Sequence, residues 1–149
     1  MTPHELINTV SILNGGSRVS NNLSYRFDHV HIYCSDLPTS EAWFVEKMGA
    51  EVIRHRDPKP SPASDLRLGG AVLYLREQWP TESLGEGGPA RFGTDHFGLA
   101  VDDLDATAAE LKRRGVEFDT EPYQIRPGLR IAFVKGPDHV RIELLQKMA

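Results

Sequence analysis

Two stretches of this chain repeat one another in register. Asp28-His29 opens an apolar run that reaches Asp36-Leu37, and 67 residues later Asp95-His96 opens another that reaches Asp103-Leu104. Each run leads into a helix-like stretch that stops at a glycine, Gly49 in the first copy and Gly115 in the second. The closing strands also match, Ala71 to Leu75 against Val140 to Leu144, at an offset of 69. A chain that says the same thing twice folds as two similar modules sharing a core. A histidine at the same point of each first strand places two imidazoles symmetrically.

The order of elements within a copy follows from pattern. Phe27 to Cys34 alternates like a strand. Asp36 suits a helix N-cap, Pro38 suits its first turn, and Gly49 suits the position after its end. Glu51 to His55 reads as a second strand. Asp57 to Pro62 reads as a loop, because its alternate prolines cannot donate to a sheet ladder. Leu66 to Leu68 and Ala71 to Leu75, joined by Gly69-Gly70, read as a hairpin. The second copy gives a strand from Asp95 to Val101 and a helix from Asp103 to Arg114. A strand near Val116 follows, then a long loop from Thr120 to Gly128, a strand from Arg130 to Val134 and a last strand from Val140 to Leu145. Each copy is therefore βαβββ. The fold class is α+β, with two tandem modules forming a U-shaped eight-stranded mixed sheet and helices on its outer face. We assign residues 1–24 to an N-terminal extension with a short helix from Thr2 to about Val10. Residues 25–147 form a single domain of modules 25–79 and 92–147, joined by a Gly- and Pro-rich connector.

Composition limits the partners. With 149 residues, 40% of them hydrophobic and 26% charged, the chain has an ordinary globular balance. A net charge of −4 provides no basic field for nucleic acid. No run approaches the roughly 20 apolar residues of a membrane span. There is no signal-peptide pattern, and the single cysteine, Cys34, leaves no intrachain disulfide, so a cytoplasmic location is expected.

Strand alternation sorts the side chains onto two faces. Val30, Ile32, Cys34, Leu73, Leu75, Phe97, Leu99, Val101, Ile142 and Leu144 share the face expected beneath the helices. His29, His31, Tyr33, Tyr74, Arg76, His96, Arg141 and Glu143 share the other, which reads as a pocket. Two neutral imidazoles and a carboxylate suit a divalent first-row ion, with other positions open to substrate. His29, His96 and Glu143 are the candidate ligands, and Fe, Mn, Ni, Co and Zn all fit the set. The bland alternative is two ordinary histidines beside a solvated glutamate; their repetition in register favours the metal. His31 shares the face and titrates near neutrality, which suits a proton carrier. Tyr74 can assist it or simply pack. Arg126 and Arg130 flank Pro127-Gly128 and suit an anionic substrate. Cys34 belongs to the covered face, as an inert thiol.

At these residues the chain resembles the vicinal oxygen chelate superfamily. That group includes glyoxalase I, methylmalonyl-CoA epimerase, fosfomycin-resistance transferases, bleomycin-binding proteins and extradiol dioxygenases. The resemblance is carried by Phe27-Asp28-His29-Val30-His31-Ile32 with Ser35-Asp36-Leu37, by Thr94-Asp95-His96-Phe97-Gly98-Leu99 with Asp103-Leu104, and by Gly136-Pro137-Asp138-His139-Val140-Arg141-Ile142-Glu143. It implies a metal between paired modules, and a homodimer whose sites lie within one chain or across two.

The departures are informative. Tyr74 stands where glyoxalase I and the epimerases carry a Glu or Gln ligand. Phe133 stands where extradiol enzymes carry a tyrosine. The cation-rich phosphate site of fosfomycin enzymes is not evident. Bleomycin-binding proteins generally lack the ligands kept here.

The leading expectation is a metal-dependent enzyme that binds a small oxygenated substrate through two neighbouring oxygens and moves a proton, as isomerase, epimerase or lyase. The alternatives are an Fe(II) dioxygenase acting on a catechol-like ring and a binding or resistance protein without turnover.

Overall fold

The computed structural model describes residues 24–85 and 92–148. The short helix expected near the N-terminus lies outside them, as does the middle of the connector. Within them the chain runs β1 (His29–Cys34), α1 (Leu37–Glu46), β2 (Glu51–Arg56), β3 (Ala63–Leu68) and β4 (Ala71–Glu77). The second copy runs β5 (Phe97–Ala100), α2 (Leu104–Arg113), β6 (Phe118–Arg126), β7 (Leu129–Lys135) and β8 (Arg141–Lys147). The eight strands form two four-stranded mixed sheets of identical order, β1-β4-β3-β2 and β5-β8-β7-β6. In each, the first strand lies parallel to the last, and the other pairings are antiparallel. No described helix is long and apolar enough to cross a membrane.

The helices begin and end by the same devices. Asp36 accepts a hydrogen bond from the Thr39 amide at 2.8 Å, and Asp103 accepts one from the Ala106 amide at 2.9 Å. Gly49 and Gly115 both take positive φ where the chain leaves the helix, and the amides of Ala50 and Val116 turn back to the carbonyls of Phe44 and Leu111. A further repeated device comes from the ends of β4 and β8. The Glu77 carboxylate accepts from the Leu37 amide at 2.9 Å, and the Gln146 side-chain carbonyl accepts from the Leu104 amide at 3.1 Å. Glu77 is thereby committed to the helix side of its sheet.

The faces sort as alternation requires. Ile32, Cys34, Phe44, Leu66, Leu73, Leu75, Leu104, Leu111, Val134, Ile142 and Leu144 form one buried cluster that spans both modules. Burial pushes the Cys34 thiol up to about 11, in keeping with an inert packing role. Arg114 also donates to the Lys47 carbonyl at 3.3 Å, joining the ends of the two helices.

One expectation is corrected. Residues 120–128 are not mostly loop, because β6 runs from Phe118 to Arg126 before a tight turn at Gly128. Phe118, Tyr123 and Ile125 are strand formers, and Pro122 is accommodated at a register shift between Thr120 and Tyr123. β3 also starts earlier than expected, at Ala63.

Candidate functional site

The parallel pairing in each sheet brings the chemistry-bearing side chains together. In the first, His29 is opposite Val72 and His31 opposite Tyr74. In the second, Gly98 is opposite Glu143, the equivalent of Tyr74 under the repeat. His31 thus corresponds to Gly98, and that glycine has a spatial reason. A Cβ built there would lie 3.2 Å from Glu143 Oε2 and 3.1 Å from Leu145 Cδ2. Position 98 is empty where the carboxylate needs room.

Each repeated histidine is held by the aspartate before it. His29 Nδ1 lies 2.6 Å from Asp28 Oδ1, and His96 Nδ1 lies 2.7 Å from Asp95 Oδ2. A carboxylate on Nδ1 favours the proton there and leaves Nε2 as the free donor atom. His96 Nε2 lies 3.4 Å from Glu143 Oε2. Two donors bound to one tetrahedral ion at about 2.1 Å would be separated by about 3.4 Å. In donor type and spacing the pair fits a divalent ion. His29 does not join it within the chain: among the described residues, no three His, Cys, Asp or Glu side chains converge as a metal-binding group.

The surroundings of the two histidines differ. His29 packs on Tyr74, ring centres 3.9 Å apart, and His31 meets Tyr74 edge-on at 5.8 Å. Arg76 donates to the Tyr33 hydroxyl at 3.0 Å and forks onto Glu82 at 2.7 and 2.8 Å, which holds the Glu82 carboxyl down to about 2. Burial first, then the Arg76, Arg56 and His29 charges, lower the His31 pKa and favour a neutral imidazole. In the second module, Phe133 meets His96 edge-on at 5.0 Å and lies beneath Arg141, whose guanidinium carbon is 3.7 Å from the ring centre. Arg141 also reaches Asp95 at 2.8 Å. The hydrogen bond from His96, reinforced by Arg141, holds the Asp95 carboxyl below its usual range.

The two loop arginines are placed differently from the pocket residues. Arg130 forks onto Asp105 of α2 at 2.7 and 2.8 Å, so its donors are engaged on the helix side. Arg126 ends β6, exposed at the β6–β7 turn.

The pocket face instead gathers cations that the sequence reading passed over. Arg54 and Arg56 pair with Asp65, and Arg56 lies 4.1 Å from the Tyr74 ring centre. The alternation of Arg54 and Arg56 on β2 was visible in the sequence, whereas their meeting with Asp65 depends on the β2–β3 register. Asp28, Asp95 and Gly98 were also passed over as parts of the site.

The sequence pattern of the Glyoxalase/Bleomycin resistance protein/Dioxygenase superfamily matches residues 26–144. An uncharacterized Bacillus subtilis protein, YwkD, is 32% identical over 123 residues, covering 80% of this chain and 94% of its own length. A probable lactoylglutathione lyase of Synechocystis is 30% identical, covering 79% of this chain and 92% of its own. Among solved structures, a glyoxalase I mutant from Zea mays is 26% identical with a TM-score of 0.69, over 85% of this chain and 46% of that one. With the repeated βαβββ modules, the matched Asp-His pairs and these relatives together, the chain belongs to the Glyoxalase/Bleomycin resistance protein/Dioxygenase superfamily, the vicinal oxygen chelate group.

Proposed function

We propose that this protein is a metal-dependent lyase or isomerase of the glyoxalase type, with His29, His96 and Glu143 as its metal ligands. The observation that carries the reading is the approach of His96 Nε2 to Glu143 Oε2 at 3.4 Å, with an aspartate on the Nδ1 of each repeated histidine. Relatives named as probable lactoylglutathione lyases support the reaction class. When bound, a divalent ion supplies Lewis-acid stabilisation of negative charge developing on neighbouring substrate oxygens. His31, favoured as neutral, accepts a proton from the substrate carbon and returns it. The Tyr74 ring orients His29 by stacking, and its hydroxyl can donate to a substrate oxygen. The dioxygenase reading is less well supported, because Phe133, packed between His96 and Arg141, offers no hydroxyl.

In this reading a second copy of the chain completes the site. His29 does not converge with His96 and Glu143 inside one chain, while both pocket faces are partly open. Tyr33, Ile53, Tyr123 and Ile125 are also exposed apolar surface that an interface could cover.

The test is metal content by mass spectrometry on untagged protein purified without chelator, for wild type and His29→Ala. Wild type is expected to carry about one ion per chain, as three protein ligands with open positions require. His29→Ala is expected to lose it while its circular dichroism is unchanged. Full occupancy in the variant would remove His29 from the ligand set.

A further inference from the structure

We propose that Arg56 forms an anion-recognising subsite of the pocket, which takes a carboxylate or phosphate group of the substrate. The inference rests on the reading of His29 as a metal ligand only for its place in the reaction. The subsite itself stands on charge and geometry.

Two guanidiniums share one carboxylate. Arg54 Nε lies 2.6 Å from Asp65 Oδ2, and Arg56 Nη2 lies 2.5 Å from Asp65 Oδ1. Asp65 is 2% exposed. One positive charge of the trio is therefore left uncompensated. The neighbouring cation, Arg76, is matched by Glu82. Arg56 is the member turned toward the pocket: its guanidinium carbon lies 4.1 Å from the Tyr74 ring centre, and Tyr74 in turn packs on His29 at 3.9 Å. Its buried Nε and the Asp65 Oδ1 that its Nη2 approaches both lack a hydrogen-bond partner among the described residues, so charge rather than an aligned hydrogen bond holds the two together. About a third of the side chain remains open to solvent. A fork steadied by an aromatic ring and a buried carboxylate, with charge to spare, binds a planar or tetrahedral oxyanion with little loss of side-chain freedom. Arg130, the cation first expected in this role, turns instead to Asp105 on α2. The substrate class that follows is a small oxygenated acid or phosphoester. Its anionic end would rest against Arg56, and its chelating oxygens would face His29.

The experiment is a titration of the full chain, stripped of metal and dialysed, with sodium succinate and separately with inorganic phosphate. It follows the side-chain Nε–Hε resonances of arginine and the backbone amide of Tyr74. Saturable shifts at Arg56 and Tyr74 are expected, with affinity reduced about tenfold or more in Arg56→Gln and unchanged in Arg130→Met. Should Arg56→Gln fail to fold, the Arg56→Gln/Asp65→Asn double variant removes both charges of the pair and is expected to show the same loss. Tighter succinate binding assigns the site to carboxylates, and tighter phosphate binding to phosphoesters. Absence of saturation with both probes would overturn the proposal, as would saturation undiminished in the Arg56 variants. Because no metal is present, failure here leaves the ligand assignment of His29 untouched, and loss of that assignment leaves this titration intact.

Discussion

A single methyl group at position 98 would touch the Glu143 carboxylate. Leu145 and the Glu143 carboxylate must each give by a few tenths of an ångström, which shifts the carboxylate relative to His96. Gly98→Ala is therefore expected to weaken metal binding about tenfold, in the range found when a ligand's support is disturbed, with little change in Tm. Competitive metal titration checks it, and unaltered affinity would deny the glycine its role. At this scale the sequence was legible where residues repeat and opaque where they meet across the fold. The histidines announced themselves by recurring after Asp28 and Asp95. The engagement of Arg130 by Asp105 could not be read, because it depends on how α2 lies against β7. The Arg54–Asp65–Arg56 trio needed the β2–β3 register, which a bulge between Val52 and Arg54 shifts.

Among the elements, the helix starts were readable from Asp36 and Asp103, since N-cap chemistry is local. Their second support, from Glu77 and Gln146, is not local and stayed hidden. Glu77→Ala is expected to cost about 1 kcal/mol in urea unfolding by freeing the Leu37 amide, with metal content unchanged. A change in metal content without loss of stability would instead tie Glu77 to the site. The end of α2 offers a pH test. Arg113 and Arg114 hold the Glu110 carboxyl down to about 2, from an ordinary value of 4.5. A depressed carboxyl stabilises the fold above its unfolded pKa and loses that contribution as pH falls from about 4.5 toward 2. Glu110→Gln should make the acid limb of the stability curve shallower in that window, lie slightly below wild type near neutrality and converge with it at low pH. Because the group is exposed, the effect should shrink with added salt. The strand β6 was misread for a different reason: Pro122 looks like loop, yet bulged pairing absorbs it and only Pro127-Gly128 remain as the turn.

For the whole molecule, the duplication gave the architecture in advance, because two copies of one pattern must make two copies of one sheet. How the copies complete a site was not legible, since the repeat is silent on which faces meet. If sites form between chains, mixing His29→Ala with His96→Ala protein should recover metal binding that neither variant has alone. Unfolding and refolding the two together at equal amounts would give mixed dimers with one intact site, about a quarter of wild-type occupancy by random pairing. Sites within single chains would give no recovery.

The paired positions 74 and 143, and 31 and 98, have a consequence for how a substrate enters. The backbone treats them alike, but one half offers a tyrosine and a histidine beside an arginine that shares its one carboxylate with Arg54, and the other a carboxylate beside a bare glycine. A slot walled by one of each is polar from end to end. A nearly symmetric scaffold would then hold an asymmetric molecule in a single orientation: turning the substrate around would set its anion against Glu143.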